Sequence, residues 1–201
     1  MVVGLKNAGL NWCSLSIDSP KSEVHDAFRR YPGCYGKVMQ GLKLLIKNKV
    51  PCSIITVARK ELIYSGELEE IVKIGRRIGV TVVRINFPVP IGRLINKDNQ
   101  TLNVKDRERV RELLRYGNVV MESPSEGIKC TAAVTKINIL PNGNVTPCVF
   151  VPLSYGNIRE SRFFGIWNSM AEYNQQFKIN GQCTMCDPVL RERVVSAAEK
   201  H

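Results

Sequence analysis

The sequence has no apolar run long enough to cross a membrane, and its start, MVVGLKNAGL, lacks the features of a signal peptide. It also contains no internal repeat and no low-complexity segment. We therefore predict a cytoplasmic protein without a membrane partner. Its 201 residues are enough for one domain with a real core, or for one domain plus a small appendage.

The net charge of +11 raises the question of nucleic acid, but the basic residues are scattered. The densest basic run, Lys105 to Arg115, also carries Asp106, Glu108 and Glu112, a pattern typical of a solvated helix face. No platform of aromatic and basic residues accompanies the charge. Nucleic-acid binding is therefore not favoured, and a basic surface is equally suited to an acidic partner or an anionic substrate.

The first half of the sequence alternates apolar strands with amphipathic helices. Near-continuous apolar strands between helices of this length indicate a parallel sheet with right-handed crossovers, in which ligands sit at the carboxyl ends of the strands. The predicted strands are Trp12 to Ile17, Cys52 to Val57 and Thr81 to Phe87, and the predicted helices are Tyr35 to Asn48, Leu68 to Ile78 and a third around Val110 to Leu114.

After about residue 122 the pattern changes to a small α+β arrangement. Two β-rich runs, Thr135 to Leu140 and Asn144 to Val151, flank Pro141-Asn142-Gly143, a strong hairpin signal. Arg162 to Lys178 has the spacing of a helix. A CxxC sequence follows, and then a charged helical tail.

Seven cysteines make an odd count, which argues against a disulfide framework and favours metal or redox chemistry. The hairpin lies between Cys130 and Cys148 and can bring both thiols to one end, and Cys183 and Cys186 form the CxxC. Four sulfur ligands suit an iron–sulfur cluster or zinc, although zinc ribbons usually pair two CxxC knuckles. A redox pair and unliganded cysteines are the other interpretations, and we assign the remaining cysteines, Cys13, Cys34 and Cys52, to the unliganded class.

These residues resemble the auxiliary cluster domain of radical S-adenosylmethionine enzymes, known as the SPASM domain or its shorter twitch form. The match consists of Cys130-x12-Gly143-x4-Cys148, GNI at Gly156 to Ile158, IW at Ile166-Trp167, and Cys183-x2-Cys186. The resemblance implies that Cys130, Cys148, Cys183 and Cys186 hold one [4Fe–4S] cluster. No cysteine follows Cys186, so one cluster is the maximum, as in the twitch form.

The first half resembles the same family. LSIDS (Leu15 to Ser19) with His25 to Arg29 is similar to its fourth barrel strand and the following loop, and VRINFPVPIGR (Val83 to Arg93) is similar to its sixth strand and exit loop. In the simpler interpretation, Asp18 and Asn86 only end strands. The resemblance instead places these residues near S-adenosylmethionine: Ser16, Asp18, Arg29, Thr56, Asn86 and Arg93.

The sequence departs from the family in lacking the CxxxCxxC motif whose cluster cleaves S-adenosylmethionine, and three opening barrel strands are missing. We therefore expect residues 1–122 to be the C-terminal half of a radical S-adenosylmethionine barrel and residues 123–201 to be a SPASM/twitch domain. The edge at Trp12 to Ile17 would pair with a separate front-half polypeptide or a second copy of the chain.

The predicted function is that of a truncated or partner-dependent radical S-adenosylmethionine protein, whose parent modifies a peptide or small molecule. Whether the chain is itself an enzyme stays open. The alternatives are a standalone iron–sulfur electron carrier or scaffold, and a zinc-stabilised interaction protein.

Overall fold

The computed structural model describes residues 1–95, 101–122, 130–177 and 183–199. The chain divides into two compact units. Unit 1 is Met1–Pro88 with the described part of Asn99–Glu122, and unit 2 is the described parts of Val89–Asp98 and Ser123–His201. The chain thus enters unit 2, returns to unit 1 and enters unit 2 again. The assignment of separate roles to residues 1–122 and 123–201 stays a prediction.

Unit 1 is built on a parallel sheet of four strands, in which β1 (Cys13–Ser16), β2 (Cys52–Val57), β3 (Val82–Asn86) and β4 (Val119–Glu122) lie side by side in that order. The sheet confirms the predicted α/β class. In register, Ser16 lies beside Ile55, and Val57 lies beside Asn86. Within the described residues β1 pairs on one side only, with β2.

The helices of unit 1 follow their local sequence signals. Helix α5 (Glu67–Ile78) is acidic in its first turn and basic in its last turn, which complements the helix dipole, and it is followed by Gly79 with φ of 84°. The stretch His25 to Arg29, expected as a loop, belongs to helix α2 (Ser22–Arg29). The helices are α1 (Val2–Asn7), α2 (Ser22–Arg29), α3 (Cys34–Lys47), α4 (Lys60–Tyr64), α5 (Glu67–Ile78) and α6 (Val104–Arg111), with a 3-10 turn at Glu112–Tyr116.

Strand alternation divides the sheet into two faces of different chemistry. Helix α5 packs closely on the face that carries Ile54 and Val83, because a Cβ added at Gly75 would lie 3.3 Å and 2.6 Å from those side chains. The opposite face carries polar groups, among them Ser14 and Ser53, whose hydroxyls are 2.7 Å apart. One face is therefore core, and the other is available for polar chemistry.

Unit 2 is small and has its own apolar core. Its hairpin pairs β5 (Asn138–Ile139) with β6 (Val145–Thr146), which is shorter than the sequence predicted. Gly143 turns the chain with φ of 92°, and the Asn157 amide packs against it. The helices of this unit are α7 (Phe163–Ser169), α8 (Ala171–Gln176) and α9 (Pro188–Ala198), with 3-10 turns at Gly92–Leu94 and Thr184–Cys186. No helix in the described part of either unit has the length and apolar character of a membrane span.

The close approach of α5 to the sheet gives a test of unit 1. We expect Gly75→Ala to destabilise the unit by about 1–3 kcal/mol, because the added methyl meets three side chains. Gly36→Ala is the matched control: it also lies in a helix, has open space, and should stabilise by about 0.5–1 kcal/mol. Urea unfolding in a Trp167→Phe background, with Trp12 as the fluorescent reporter, measures both. Equal midpoints for the two variants would contradict the packing.

Candidate functional site

The four cysteines singled out by sequence meet in unit 2. Cys130, Cys148 and Cys183 are buried in its apolar core, and Cys186 packs against that core partly exposed. Cys148 follows β6, while Cys183 precedes the 3-10 turn before α9 and Cys186 is the last residue of that turn. Three separate segments thus bring their thiols into one small core.

The thiols are close enough to influence one another's ionisation. Burial raises the pKa of Cys148, and the neighbouring Cys183 and Cys130 raise it further. A hydrogen bond with Cys186, followed by burial, raises the pKa of Cys183. All four sulfurs therefore belong to one electrostatic neighbourhood. Within the described ranges, no three His, Cys, Asp or Glu side chains form a group that could hold a single metal ion.

Backbone amides point at these sulfurs and favour their charged form. The N–H of Phe150 donates to Cys148 Sγ at 3.4 Å, and the N–H of Val151 also lowers the pKa of that thiol. At Cys183 the N–H groups of Met185 and Cys186 act in the same direction. Burial favours the protonated form of these thiols, whereas a bound cationic centre would favour the thiolate form. Four thiols in one core are also the ligand set of an iron–sulfur cluster, so the residues present fit such a cluster.

The CxxC turn is fixed from its interior. Thr184 lies between the two cysteines, and its buried hydroxyl accepts from Tyr173 Oη at 3.1 Å and donates to the Phe177 carbonyl at 2.9 Å. The guanidinium of the buried Arg191 donates to the carbonyl of Met185 at 3.1 Å. Sequence reasoning missed these supports, because no local pattern in the chain marks them.

At the carboxyl end of β1 the structure brings together two of the predicted cofactor residues. Asp18 is buried and accepts from Arg29 through both carboxylate oxygens, at 2.5 Å and 3.1 Å. The backbone N–H of Asp18 donates to Nδ1 of the fully buried His25 at 3.1 Å, and its carbonyl accepts from Arg59 at 2.9 Å. The turn after β1 is therefore held by three side chains.

The other predicted cofactor residues are distributed differently. Ser16 and Asn86 lie on the polar face of the sheet, at the ends of β1 and β3. Thr56 is buried on the opposite face, which packs against helices. Arg93 belongs to the 3-10 turn assigned to unit 2, and its side chain lies outside the described part of the chain. Asn86 Oδ1 and Thr56 Oγ1 are buried and have no protein hydrogen-bond partner within the described residues.

Comparison with known proteins agrees with this arrangement. Residues 130–187 match the SPASM family, described as an iron-sulfur cluster-binding domain. The chain is related to radical S-adenosylmethionine proteins with a SPASM domain. The resemblance stated from the cysteine and strand motifs is thus confirmed, and so is a fold that combines part of a radical S-adenosylmethionine barrel with a SPASM-type domain.

Two curated relatives and one solved structure indicate the range of the family. An AdoMet-dependent heme synthase of Oleidesulfovibrio alaskensis is 29% identical over 92% of this chain and 56% of its own length. The antilisterial bacteriocin subtilosin biosynthesis protein AlbA of Bacillus subtilis is 28% identical over 77% of this chain and 36% of its own length. The solved structure, native anSMEcpe with bound AdoMet and Cp18Cys peptide, has a TM-score of 0.62 at 21% identity, covering 87% of this chain and 58% of that one. The chain thus spans between 36% and 58% of the length of these proteins.

His25 gives a pH test of the turn after β1. Burial lowers the pKa of His25, partly opposed by the Asp18 carboxylate and reinforced by Arg29. As the pH falls through the ordinary histidine range, His25 binds a proton in the unfolded chain but not in the folded chain. The free energy of unfolding should therefore drop between pH 7.5 and 5.5, by at most about 1.4 kcal/mol per pH unit from this group.

We expect His25→Gln to flatten that slope, whatever its effect on stability at pH 7.5. His201→Gln removes the other histidine of the sequence and should leave the slope in place. Urea unfolding at several pH values measures it, and an equally steep slope in His25→Gln would contradict the assignment.

Proposed function

We propose that unit 2 binds one auxiliary [4Fe–4S] cluster through Cys130, Cys148, Cys183 and Cys186. The observation that carries this proposal is the meeting of four thiols in one apolar core, with backbone N–H groups directed at two of them. Such a set supplies thiolate ligands from three segments and excludes water from most of the site. When bound, an auxiliary cluster of this kind supplies electron transfer or a place for substrate to bind.

We also propose that the polar face of the sheet, at its carboxyl end, forms part of a site for S-adenosylmethionine. Ser16 and Asn86 share this face, and the unpartnered Asn86 Oδ1 is free to accept a hydrogen bond from a ligand. Asp18 is neutralised by Arg29, so it orients the turn rather than presenting a free negative charge. For Thr56 and Arg93 a role at the cofactor rests on the resemblance alone.

The substrate class follows from the relatives only as a proposal. Their names refer to haem synthesis and to a peptide antibiotic, so we infer that the complete protein modifies a small molecule such as a haem precursor or a peptide. Since this sequence contains no CxxxCxxC, cleavage of S-adenosylmethionine would need a segment or polypeptide that supplies it. The edge of β1, which carries no charge and no proline, is the proposed meeting place for that partner or for a second copy.

We expect anaerobically reconstituted protein to carry about four iron and about four sulfide per chain, with the broad visible absorption of a thiolate-bound cluster. Alanine at any one of Cys130, Cys148, Cys183 and Cys186 should remove or damage the cluster, because each supplies a ligand. Cys34→Ala is the control, since Cys34 begins α3 in unit 1. Analysis of metal and sulfide content measures the cluster in each variant. Stoichiometric zinc without iron would contradict the cluster and support the zinc-stabilised alternative.

This chain alone should not cleave S-adenosylmethionine reductively. Cleavage needs a cluster with an open iron next to the cofactor, and a cluster held by four thiolates has none. The measurement is 5′-deoxyadenosine formed with reductant, against a protein-free control. Product above that control would refute the assignment of all four thiols to one cluster.

Light scattering of the same sample at micromolar concentration tests pairing through β1, where a monomer would count against a second copy as partner.

A further inference from the structure

The buried Arg191 carries the strongest inference beyond the proposed cluster. It is 6% exposed, and its guanidinium Nη1 donates to the carbonyl of Met185, which lies inside the CxxC turn. A fixed positive charge therefore touches the segment that bears two of the four thiols.

We propose that Arg191 is a positioning residue that holds the CxxC turn and raises the reduction potential of the auxiliary cluster. The inference rests on the proposed function. A four-iron cluster with four thiolates has a net negative charge that increases on reduction, so a nearby buried cation stabilises the reduced form more than the oxidised form. The low local dielectric strengthens this effect relative to that of an exposed residue.

The geometry of α9 explains why Arg191 can act in this way. Asp187 caps the helix by accepting from the N–H of Leu190 at 2.9 Å, and the N–H of Arg191 bonds to the Asp187 carbonyl at 2.9 Å. The cap starts the helix directly after Cys186, which places residue 191 one turn further on. The guanidinium then reaches back to the Met185 carbonyl, and this hydrogen bond joins the helix to the CxxC turn.

The same helix contains a matched control. Arg193 is exposed, and its guanidinium lies 5.6 Å from the centre of the Phe177 ring. Replacement of either arginine by Gln changes the net charge equally. Only the loss at position 191 removes a buried charge from the CxxC turn. Arg191→Lys keeps the charge but loses the planar fork of the guanidinium.

The experiment is a spectroscopic redox titration of the reconstituted chain and its variants, after iron and sulfide analysis of each. In Arg191→Gln we expect the equilibrium constant for one-electron reduction to fall at least tenfold, a shift of about 59 mV to more negative potential. Arg191→Lys should stay between that variant and the unchanged chain, and Arg193→Gln should match the unchanged chain.

Three results would overturn the inference: an unchanged potential in fully loaded Arg191→Gln, an equal shift in Arg193→Gln, or loss of the cluster from both Arg191→Gln and Arg191→Lys. Loss of the cluster from Arg191→Gln together with its retention in Arg191→Lys would support the inference, since the site would then require the positive charge at position 191. If the unchanged chain binds no iron, the proposed function itself fails. If instead the chain binds the cluster but its reduction potential does not depend on Arg191, only the inference about Arg191 fails.

Discussion

The burial of thiols in a small apolar core is the constraint on which unit 2 depends. The same packing that excludes water from Tyr173, Met170 and Val145 also surrounds Cys148 and Cys183. Burial raises the pKa of Cys148, and the hydrogen bond with Cys186, followed by burial, raises that of Cys183. Without a cation the thiols remain protonated and act as small apolar side chains. With one they become ligands, so folding and metal binding draw on the same contacts.

In unit 1 the side chains of each strand alternate between the two faces of the sheet. The face covered by α5 is packed so closely that only a glycine fits at position 75, and this fixes the sheet against its helices. The other face carries Ser14, Ser16, Ser53 and Asn86, and the buried Ser53 hydroxyl is hydrogen-bonded to that of Ser14. The alternation of side chains along each strand therefore gives the sheet one apolar face and one face with polar groups.

The sequence predicted the elements that have strong periodicity. Helices α3 and α5 lie within a residue or so of their expected bounds, because their apolar residues recur at helical spacing and Gly79 ends α5. Helix α2 was taken for a loop because, of its described side chains, only His25 is buried, so no apolar stripe marks it. Strand β4 was missed because four residues after Gly117 are too short to show a period.

Only part of the candidate site was predictable from the sequence. The four cysteines were identifiable because metal-ligand spacing is a property of the chain itself. The Tyr173–Thr184 bond and the contact of Arg191 with Met185 depend on where helices α8 and α9 come to lie, and no local pattern encodes that. The polar face of the sheet was predictable from strand ends, but the burial of Thr56 on the other face depended on the register.

The path of the chain through the two units has a consequence for how the protein can be dissected. Val89 and Ile91 pack in the core of unit 2, although the chain then returns to unit 1 before residue 122. A single cut near residue 122 would leave those two apolar side chains on the wrong piece, with the core they belong to on the other. Unit 2 is consequently a discontinuous body, and it can be obtained intact only if residues 89–95 are supplied with it.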